Sequence, residues 1–553
     1  MTGHIRTIAL ALAVLAVPAG AQAQDQGGEQ EATPTLRGPH IEIAPYIEAA
    51  EVLTKQLDPY NDTVTYTTVA AGVDVSATGR YSAASASARY ERHFANDSTT
   101  RDSDTVSGIG RASVALGSPN VTVEAGALAS RSRVDSDGTA FAGSLQQDDS
   151  TTSRIYSVYA GPSVQSREGA LEVEGHYRFG YTKVESPDRL VAGASGGAQL
   201  VDLADESTTH SAQARVGFAP DTVLPVVGVG VGGGWNEQNT TNLDQRVRDR
   251  HARADVTVPL SPTLALVGGV GYEDVEISSR DALRDGSGAP IIGADGRFVT
   301  DKSAPRVIAY QTDGLIWDAG VMWRPSRRTS LEAFIGKRYD STTYYGSLTY
   351  APNSRQSLNI SVYDGIQTFG GLISDRLAGL PAQFQAIRSP FSGDLGTCVT
   401  STSTEGGTCI GDAFGSLNSV VYRDRGVSLS YGINMGRSQA GIGIGYDHRK
   451  YIAAAGTVLA LANGAVDEQY WATIYGTTEI DRRSSLSANA YGSRYSNGLT
   501  GETTFGYSAS LAYYRQLIAG LSGTAAVGLD GITQDSLPDV QAASALLGLR
   551  YTF

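Results

Sequence analysis

Residues 541–553 read Gln-Ala-Ala-Ser-Ala-Leu-Leu-Gly-Leu-Arg-Tyr-Thr-Phe. In an extended strand, side chains at i and i+2 share a face. Gln541, Ala543, Ala545, Leu547, Leu549, Tyr551 and Phe553 therefore form one face, and Ala542, Ser544, Leu546, Gly548, Arg550 and Thr552 the other. The first face is apolar with an aromatic end; the second is small, polar or charged. A strand with lipid on one side and an aqueous lumen on the other requires that asymmetry, and it predicts an all-β transmembrane antiparallel barrel.

Working outward, the same alternation returns in the middle of the chain. Val427, Leu429, Tyr431, Ile433 and Met435 oppose Ser428, Ser430, Gly432 and Asn434, while Ala440, Ile442, Ile444 and Tyr446 oppose Gly441, Gly443, Gly445 and Asp447. From His40 on, alternating segments recur about every 23 residues, which over residues 40–553 predicts about 22 strands, within a range of 20–24. The connections follow a parity. Even ones are tight turns such as Thr78-Gly79-Arg80, Gly117 to Asn120 and Gly436 to Ser438, built from turn formers. Odd ones are mostly long and polar, as in Ala95 to Asp104, Asp135 to Thr151, Glu185 to Glu206, Arg280 to Pro305 and Asp364 to Asn418. Short periplasmic turns and long extracellular loops are the rule for outer-membrane barrels, so both termini are expected in the periplasm.

Composition agrees. The chain holds 65 Gly and 28 Tyr, 41% of its residues are hydrophobic, and its mean hydropathy is slightly negative, which suits strands that are apolar on one face only. The formal charge of −14 falls to −15 without Arg6 and argues against nucleic acid as a partner. At the start, His4 and Arg6 precede the apolar run Ile8 to Val17 and then Ala21-Gln22-Ala23, the pattern of a signal peptide at residues 1–23. That run is shorter than the roughly 20 residues a membrane helix needs. Residues 24–39 read as a short periplasmic segment and 40–553 as the barrel, with no plug domain and a long extracellular loop at 364–418.

Candidate chemistry sits on inward faces. Beside lipid-facing Leu171, Val173, Tyr177 and Phe179, the lumen would receive Glu172, Glu174, His176 and Arg178. The same parity places Arg89, Glu91, His93, Arg111, Arg215, Arg253, Asp255, Glu332, Arg338 and Asp530 inside, as a pore lining of both signs that could tune ion passage. A lumen wet enough to solvate or pair such groups explains them equally. Cys398 and Cys409, an even count in an oxidising compartment, predict a disulfide stapling a hairpin at the tip of the long loop. Leu372, Ile373, Leu377, Leu380, Phe384 and Ile387 form a helix-like apolar stripe interrupted by Pro381, which could fold into the pore or lie across its mouth.

Two motif matches carry no chemistry. Gly193-x-Ser195-x-Gly197 lies in a Gly- and Ala-rich loop without the strand-to-helix elbow a hydrolase needs. Gly228, Gly230 and Gly233 alternate with Val227, Val229 and Val231 as a strand and precede no helix. The acidic clusters around Asp97, Asp102 and Asp104, and around Asp135, Asp137, Asp148 and Asp149, lack the register of a calcium loop. No metal, cofactor or catalytic constellation is expected, and a rim histidine such as His448 has no identifiable catalytic partner.

A strand ending in Phe553 resembles the signal by which Gram-negative outer-membrane proteins are recognised by their assembly machinery. Pro45-Tyr-Ile-Glu48, Thr65 to Asp74, Ala88-Arg-Tyr-Glu-Arg92, Val158-Tyr-Ala-Gly-Pro162 and Tyr177 to Val184 resemble the opening third of a family of α-proteobacterial outer-membrane, porin-like barrels, some members of which are labelled preprotein translocase subunits. The resemblance implies location and architecture, with outer-membrane lipid and lipopolysaccharide as surroundings, and no substrate. TonB-dependent transporters share the strand number but carry a large plug ahead of the barrel, and autotransporters a large passenger; the 16 residues from Gln24 to Pro39 hold neither. The expectation is a passive channel for small polar solutes. The alternative is a structural or surface-interaction barrel whose lumen is occluded by its long loop.

Overall fold

The computed structural model describes residues 39–59, 61–96, 102–134, 140–141, 152–185, 189–192, 198–201, 206–220, 223–401, 408–414, 418–535 and 538–553. The expected signal peptide, Asp97, Asp135, Asp137, Asp148, Asp149 and the Gly193-x-Ser195-x-Gly197 stretch lie outside them.

Twenty-two long antiparallel strands form one ring. They are β1 (His40–Asp58), β2 (Thr63–Thr78), β3 (Ser82–Ala95), β4 (Ser103–Ala115), β5 (Val121–Val134), β6 (Thr152–Glu168), β7 (Leu171–Glu185) and β8 (Glu206–Phe218). β9 (Gly228–Thr240), β10 (Gln245–Ser261), β11 (Leu264–Ser279), β12 (Val307–Ser326), β13 (Thr329–Arg338), β14 (Ser341–Asn353) and β15 (Gln356–Gln367) continue the wall. β16 (Tyr422–Asn434), β17 (Ser438–Tyr451), β18 (Val466–Asp481), β19 (Ser484–Ser496), β20 (Thr503–Ile518), β21 (Leu521–Gln534) and β22 (Val540–Thr552) complete it. The sheet has 23 members because a two-residue piece, Ala140–Phe141, also pairs with β5. β1 closes the ring by pairing with both β2 and β22, from Tyr46↔Thr552 to Lys55↔Ala543 on the closing side. Closure leaves no sheet edge, the condition for a β-sheet to sit in hydrocarbon.

The terminal strand follows its predicted parity. Ala542, Ser544 and Leu546 are at most 5% exposed, whereas Leu547 and Phe553 are 70% and 71% exposed. Around the ring Leu315, Val270, Val231 and Ile474 also point outward and exposed. Each would lose about 1.5–3 kcal/mol of burial if that face met water, so the outer face requires lipid. Trp323, Tyr350 and Tyr551 mark its short-turn side, and Trp317, Tyr344 and Tyr470 its long-loop side.

The parity of the connections also holds. On one side lie turns such as Gly79-Arg80-Tyr81 and Ala519-Gly520; on the other lie the long stretches, including 280–306, 368–421 and 452–465. One long-side connection is only Tyr339-Asp340, both at positive φ (54° and 49°). Two-residue hairpins of this twist demand φ > 0 at both positions; side-chain and backbone anchors of Tyr339 hold it there, its hydroxyl donating to Asp249 at 3.0 Å and its N–H to Glu273 at 2.6 Å.

Two ladders stop short on the long-loop side. β4 and β5 pair only from Gly108↔Ala129 to Ala115↔Thr122, although β4 stays paired with β3 up to Ser103 and β5 with β6 up to Arg133. β14 and β15 likewise pair only from Gly346↔Val362 downward.

In lipid vesicles, Val270→Arg on the lipid face should lower unfolding stability by about 2–4 kcal/mol. Gln213→Arg, inward and exposed, should change it by less than about 1 kcal/mol. Guanidinium titrations of both proteins check this, and equal effects would contradict the assigned faces.

Candidate functional site

The lumen is the site, and the chain itself fills much of it. After β15, the described residues of the connection, 368–401, 408–414 and 418–421, turn inward. Helix α1 (Phe369–Ala378) begins at Thr368, whose hydroxyl accepts from Gly371 N–H and donates to Gln238 of β9 at 2.7 Å. The helix lies close against the wall because its contact positions are small: a Cβ on Gly370 would sit 2.5 Å from the Ser207 Cβ, and Ser374 packs over Gly180. Lower down, Asp375 accepts from Arg178 at 2.9 Å, and that guanidinium also stacks 5.6 Å from the Tyr159 ring. Gly379 and Pro381 end the helix, as the broken stripe suggests. The stripe does not continue as a helix, however, because its last members, Phe384 and Ile387, lie on the short strand Phe384–Arg388.

That strand pairs with Leu395–Ser401, which pairs with Thr408–Cys409, forming a small sheet inside the barrel. One side of the sheet meets β3 to β5. Phe384 N–H donates to Ser85 Oγ at 3.1 Å, and Gln383 reaches Thr78 at the short-turn end of β2. Arg388 donates to Ser87 Oγ and O, Ser107 Oγ and O, and Gly393 O. Burial pulls the Arg388 guanidinium below its ordinary pKa, and neutral acceptors fill its donor positions. Asp394 takes a two-pronged bond from Arg131 of β5, at 2.9 and 3.0 Å. Phe391, 1% exposed, packs among Ala50, Val52, Ala512, Ala526 and Leu546.

The other side of the sheet meets the opposite wall. A Cβ on Gly443 of β17 would sit 2.5 Å from Cys409 Sγ, and Cys409 packs against a cluster of Trp471, Tyr491 and Ile532. The Cys398–Cys409 disulfide is present, but it staples this sheet in the lumen and not an exposed loop tip; Cys398 is 3% exposed. At the end of the insert, Ser419 is held by Asn242 and Gln245 of the β9–β10 connection.

Above the insert the mouth is covered. Ala282 and Phe298 from residues 280–306, and Leu459 and Ala462 from residues 452–465, join one apolar cluster with Phe369, Leu372, Ile373, Leu377 and Leu380. The two covering loops touch directly, Val458 N–H donating to Asp281 at 2.9 Å.

The residues expected to line an open pore separate into two groups. Arg89, Glu91 and Asp530 face inward but are 7%, 2% and 2% exposed; Arg89 pairs with Glu48 at 2.9 Å and with Glu91, and Glu91 bonds His93 at 2.6 Å, beneath Gly393 of the insert. Arg89 and Glu91 therefore support the insert, and Asp530 is buried in the wall. Arg178 holds α1, as above, and His176 sits half-buried below it. Arg338 pairs with Asp249 at 2.8 Å and Glu273 at 3.3 Å under Tyr339.

In the short-turn half, inward groups remain accessible. Glu174 is exposed, Glu172 pairs with Arg167 at 3.2 Å, and Glu332 with Arg324 at 2.5 Å. Arg215 makes a fork to Asp255 at 3.0 and 2.6 Å, and Arg253 bonds Asp318 at 2.7 Å. Gly230 leaves room for the first fork, since a Cβ there would lie 2.6 Å from an Arg215 nitrogen. The insert thus packs the long-loop half of the lumen and reaches the short-turn end at Thr78, while accessible charges such as Glu172 and Glu174 lie in the short-turn half. Among the described residues no cluster has the ligand set of a metal site.

Sequence reasoning missed Arg131, Arg388 and Asp394, whose partners lie some 260–300 positions away and leave no local signal. It also missed Asp249 and Glu273, which alternation does place inside.

No protein-family model matches the chain, and no curated protein matches it; the resemblance of the opening third to the α-proteobacterial barrels gains no support from either. Solved structures similar to it include the siderophore receptor PiuA from Acinetobacter baumannii, at 10% identity and TM-score 0.42, covering 92% of this chain and 82% of that one. The FrpB iron transporter from Neisseria meningitidis follows at 9% identity, TM-score 0.40 and coverages of 92% and 81%. The copper transporter OprC has 12% identity, TM-score 0.39 and coverages of 95% and 82%. Likeness at this level says nothing of what the present chain carries.

Phe391→Ala should loosen the insert by about 3–5 kcal/mol, the cost of emptying a packed aromatic site. Hydrogen exchange of the amides in Phe384–Ser401 should accelerate by a hundredfold or more while β10 to β12 keep wild-type protection; unchanged exchange in the insert would contradict its packing.

Proposed function

We propose that the protein is an outer-membrane transport barrel for small polar solutes, closed at rest by its own residues 368–421 and opened by their displacement. The observation that carries this reading is the insert that spans the lumen from Arg131 and Ser107 on one wall to Gly443 on the other. The sequence led us to expect passive diffusion through an open pore. A lumen crossed by a packed sheet and capped by two loops supports gated passage instead.

The alternative, a surface-interaction barrel with an occluded lumen, has the same closed insert. Transport is favoured by the short-turn half, where charges of both signs stay hydrated, and by size. Barrels of about 8 strands fill with their own side chains, whereas rings of about 22 enclose a lumen that must be plugged. Such a width is costly for a surface scaffold and necessary for a conduit. Neither catalysis nor a resident cofactor belongs to this reading. In orientation, the short turns and both ends of the ring face the periplasm and the covered mouth faces outward, following the loop asymmetry of outer-membrane barrels.

Planar-bilayer recordings test the gate. Wild-type protein should be mostly silent. Gly370→Val, which drives a side chain into Ser207 and lifts α1 from the wall, should give frequent openings, and removal of residues 369–420 should give large, steady conductance steps. Silence in all three proteins would refute transport, and steady steps in wild type would refute the gate.

A further inference from the structure

The interrupted ladder between β4 and β5 coincides with the point where the insert grips the wall. Above Gly108↔Ala129, Ser103–Ser107 and the upper part of β5 are not paired with each other. Part of the vacated β5 edge, at Arg133 and Val134, is taken by Ala140–Phe141 instead. Strict alternation puts Leu128, Ser130 and Ser132 inside and Arg131 on the lipid side. Yet the Arg131 side chain is 5% exposed and forks onto Asp394 inside the lumen. An outward position with an inward partner means that the side chain passes through the seam.

The insert closes this seam from within. Arg388 bonds the hydroxyl and carbonyl of Ser107, the last residue of β4 without a partner on β5, and Ser107 Oγ donates to Gly393 O at 3.2 Å. Thr105, 3% exposed on the same stretch, has a hydroxyl with no hydrogen-bond partner among the described residues.

Both sides of the seam are apolar. Outside, Val106 and Val158 are 53% and 41% exposed on the lipid face. Inside, the neighbouring wall is Ile109, Leu128, Ile155 and Val184, each at most 5% exposed in one cluster with residues of the insert. On the β10–β13 wall the inward apolar residues Val247, Val275 and Ile277 are interleaved with the ionic group Arg338, Asp249 and Glu273. Withdrawal of the insert would therefore break the Arg131–Asp394 fork and bare an apolar lumenal patch next to a gap in the strand ladder.

We propose that the β4–β5 seam is a lateral port between lumen and bilayer, opening with the insert and passing amphipathic molecules that carry an acyl-like chain. It rests on the gated reading above, and it extends the cargo from polar solutes to molecules with an apolar tail. The chain would lie along Ile109, Leu128 and Ile155 with its polar head in the short-turn half of the lumen. Unpaired backbone in hydrocarbon is costly, and in the closed state Arg388 supplies a donor to the Ser107 carbonyl.

The probe is a diazirine-bearing palmitate analogue, added to full-length protein in liposomes, irradiated and mapped by peptide mass spectrometry. In Gly370→Val, labelling of the peptides containing Ile109, Leu128 and Ile155 should exceed wild type at least tenfold. Asp394→Ala, which removes the fork between insert and wall by a different route, should do the same. Adding Ser107→Cys and Ser130→Cys, which face each other if the ladder is extended by one pair, should return labelling to the wild-type level after oxidation, as should Ser107→Trp, which fills the seam without a bridge. Single-cysteine proteins should stay labelled, and the unsealed released variants should conduct ions. Labelling that ignores both seals, or fails in both released variants, overturns the port. Labelling that obeys the seals in a protein without ion conductance would overturn the polar-solute gate and leave the port standing.

Discussion

In hydrocarbon no backbone N–H or C=O can be left to water, and the architecture follows from that constraint. It rules out an open sheet, so β22 must return to β1, and the Tyr46↔Thr552 to Lys55↔Ala543 ladder is the bond on which the ring depends. Once the ring is closed, each residue faces either lipid or lumen, and the period of two becomes a partition of the sequence between two solvents. The number of strands then sets the interior. With twenty-two strands the lumen is too wide for wall side chains to fill, and folded chain of the insert occupies much of it.

The insert uses two kinds of contact to occupy that space. On the β6–β9 wall it brings an apolar helix against Ile155 and Val184, with Gly370 and Ser374 allowing close approach. Burying Leu372, Ile373, Leu377 and Leu380 contributes about 1.5–3 kcal/mol apiece. On the β3–β5 wall the grip is polar, through hydroxyls, carbonyls and the Arg131–Asp394 fork. A polar grip exchanges readily with water once the helix lifts. The insert therefore has a strongly seated half and a half that can release, which is the asymmetry a gate requires.

Much of this was legible in the chain, and the limit is physical. The Leu547 and Tyr551 face, the inward positions of Arg89, Glu91 and Arg215, and the order of short and long connections all express local alternation, which the lipid boundary enforces residue by residue. The path of residues 368–421 expresses none of it. The stripe Leu372 to Leu380 announced an apolar surface seeking cover but could not say which wall would supply it. The cysteine pair announced a staple, whereas its depth depends on Gly443, a residue too small to leave any signal beyond its place in an alternating strand. Arg131 is the sharpest case: parity assigns it to lipid, and only the break in the β4–β5 ladder lets it reach Asp394.

The two broken ladders differ in what closes them, and the difference bears on which can move. At β14–β15 the wall closes itself. Arg423 and Arg425 of β16 fork onto Asp364, whose side chain is fully covered, and reach across to Ser341 and the Thr342 carbonyl, the latter at 2.9 Å. All of these groups sit on strands fixed by their own ladders, so the suture persists whatever the insert does. At β4–β5 the closing groups, Arg388, Gly393 and Asp394, belong to the insert itself. Of these two breaks among the described residues, only β4–β5 is sealed by the insert, and so it is the one that responds to gating.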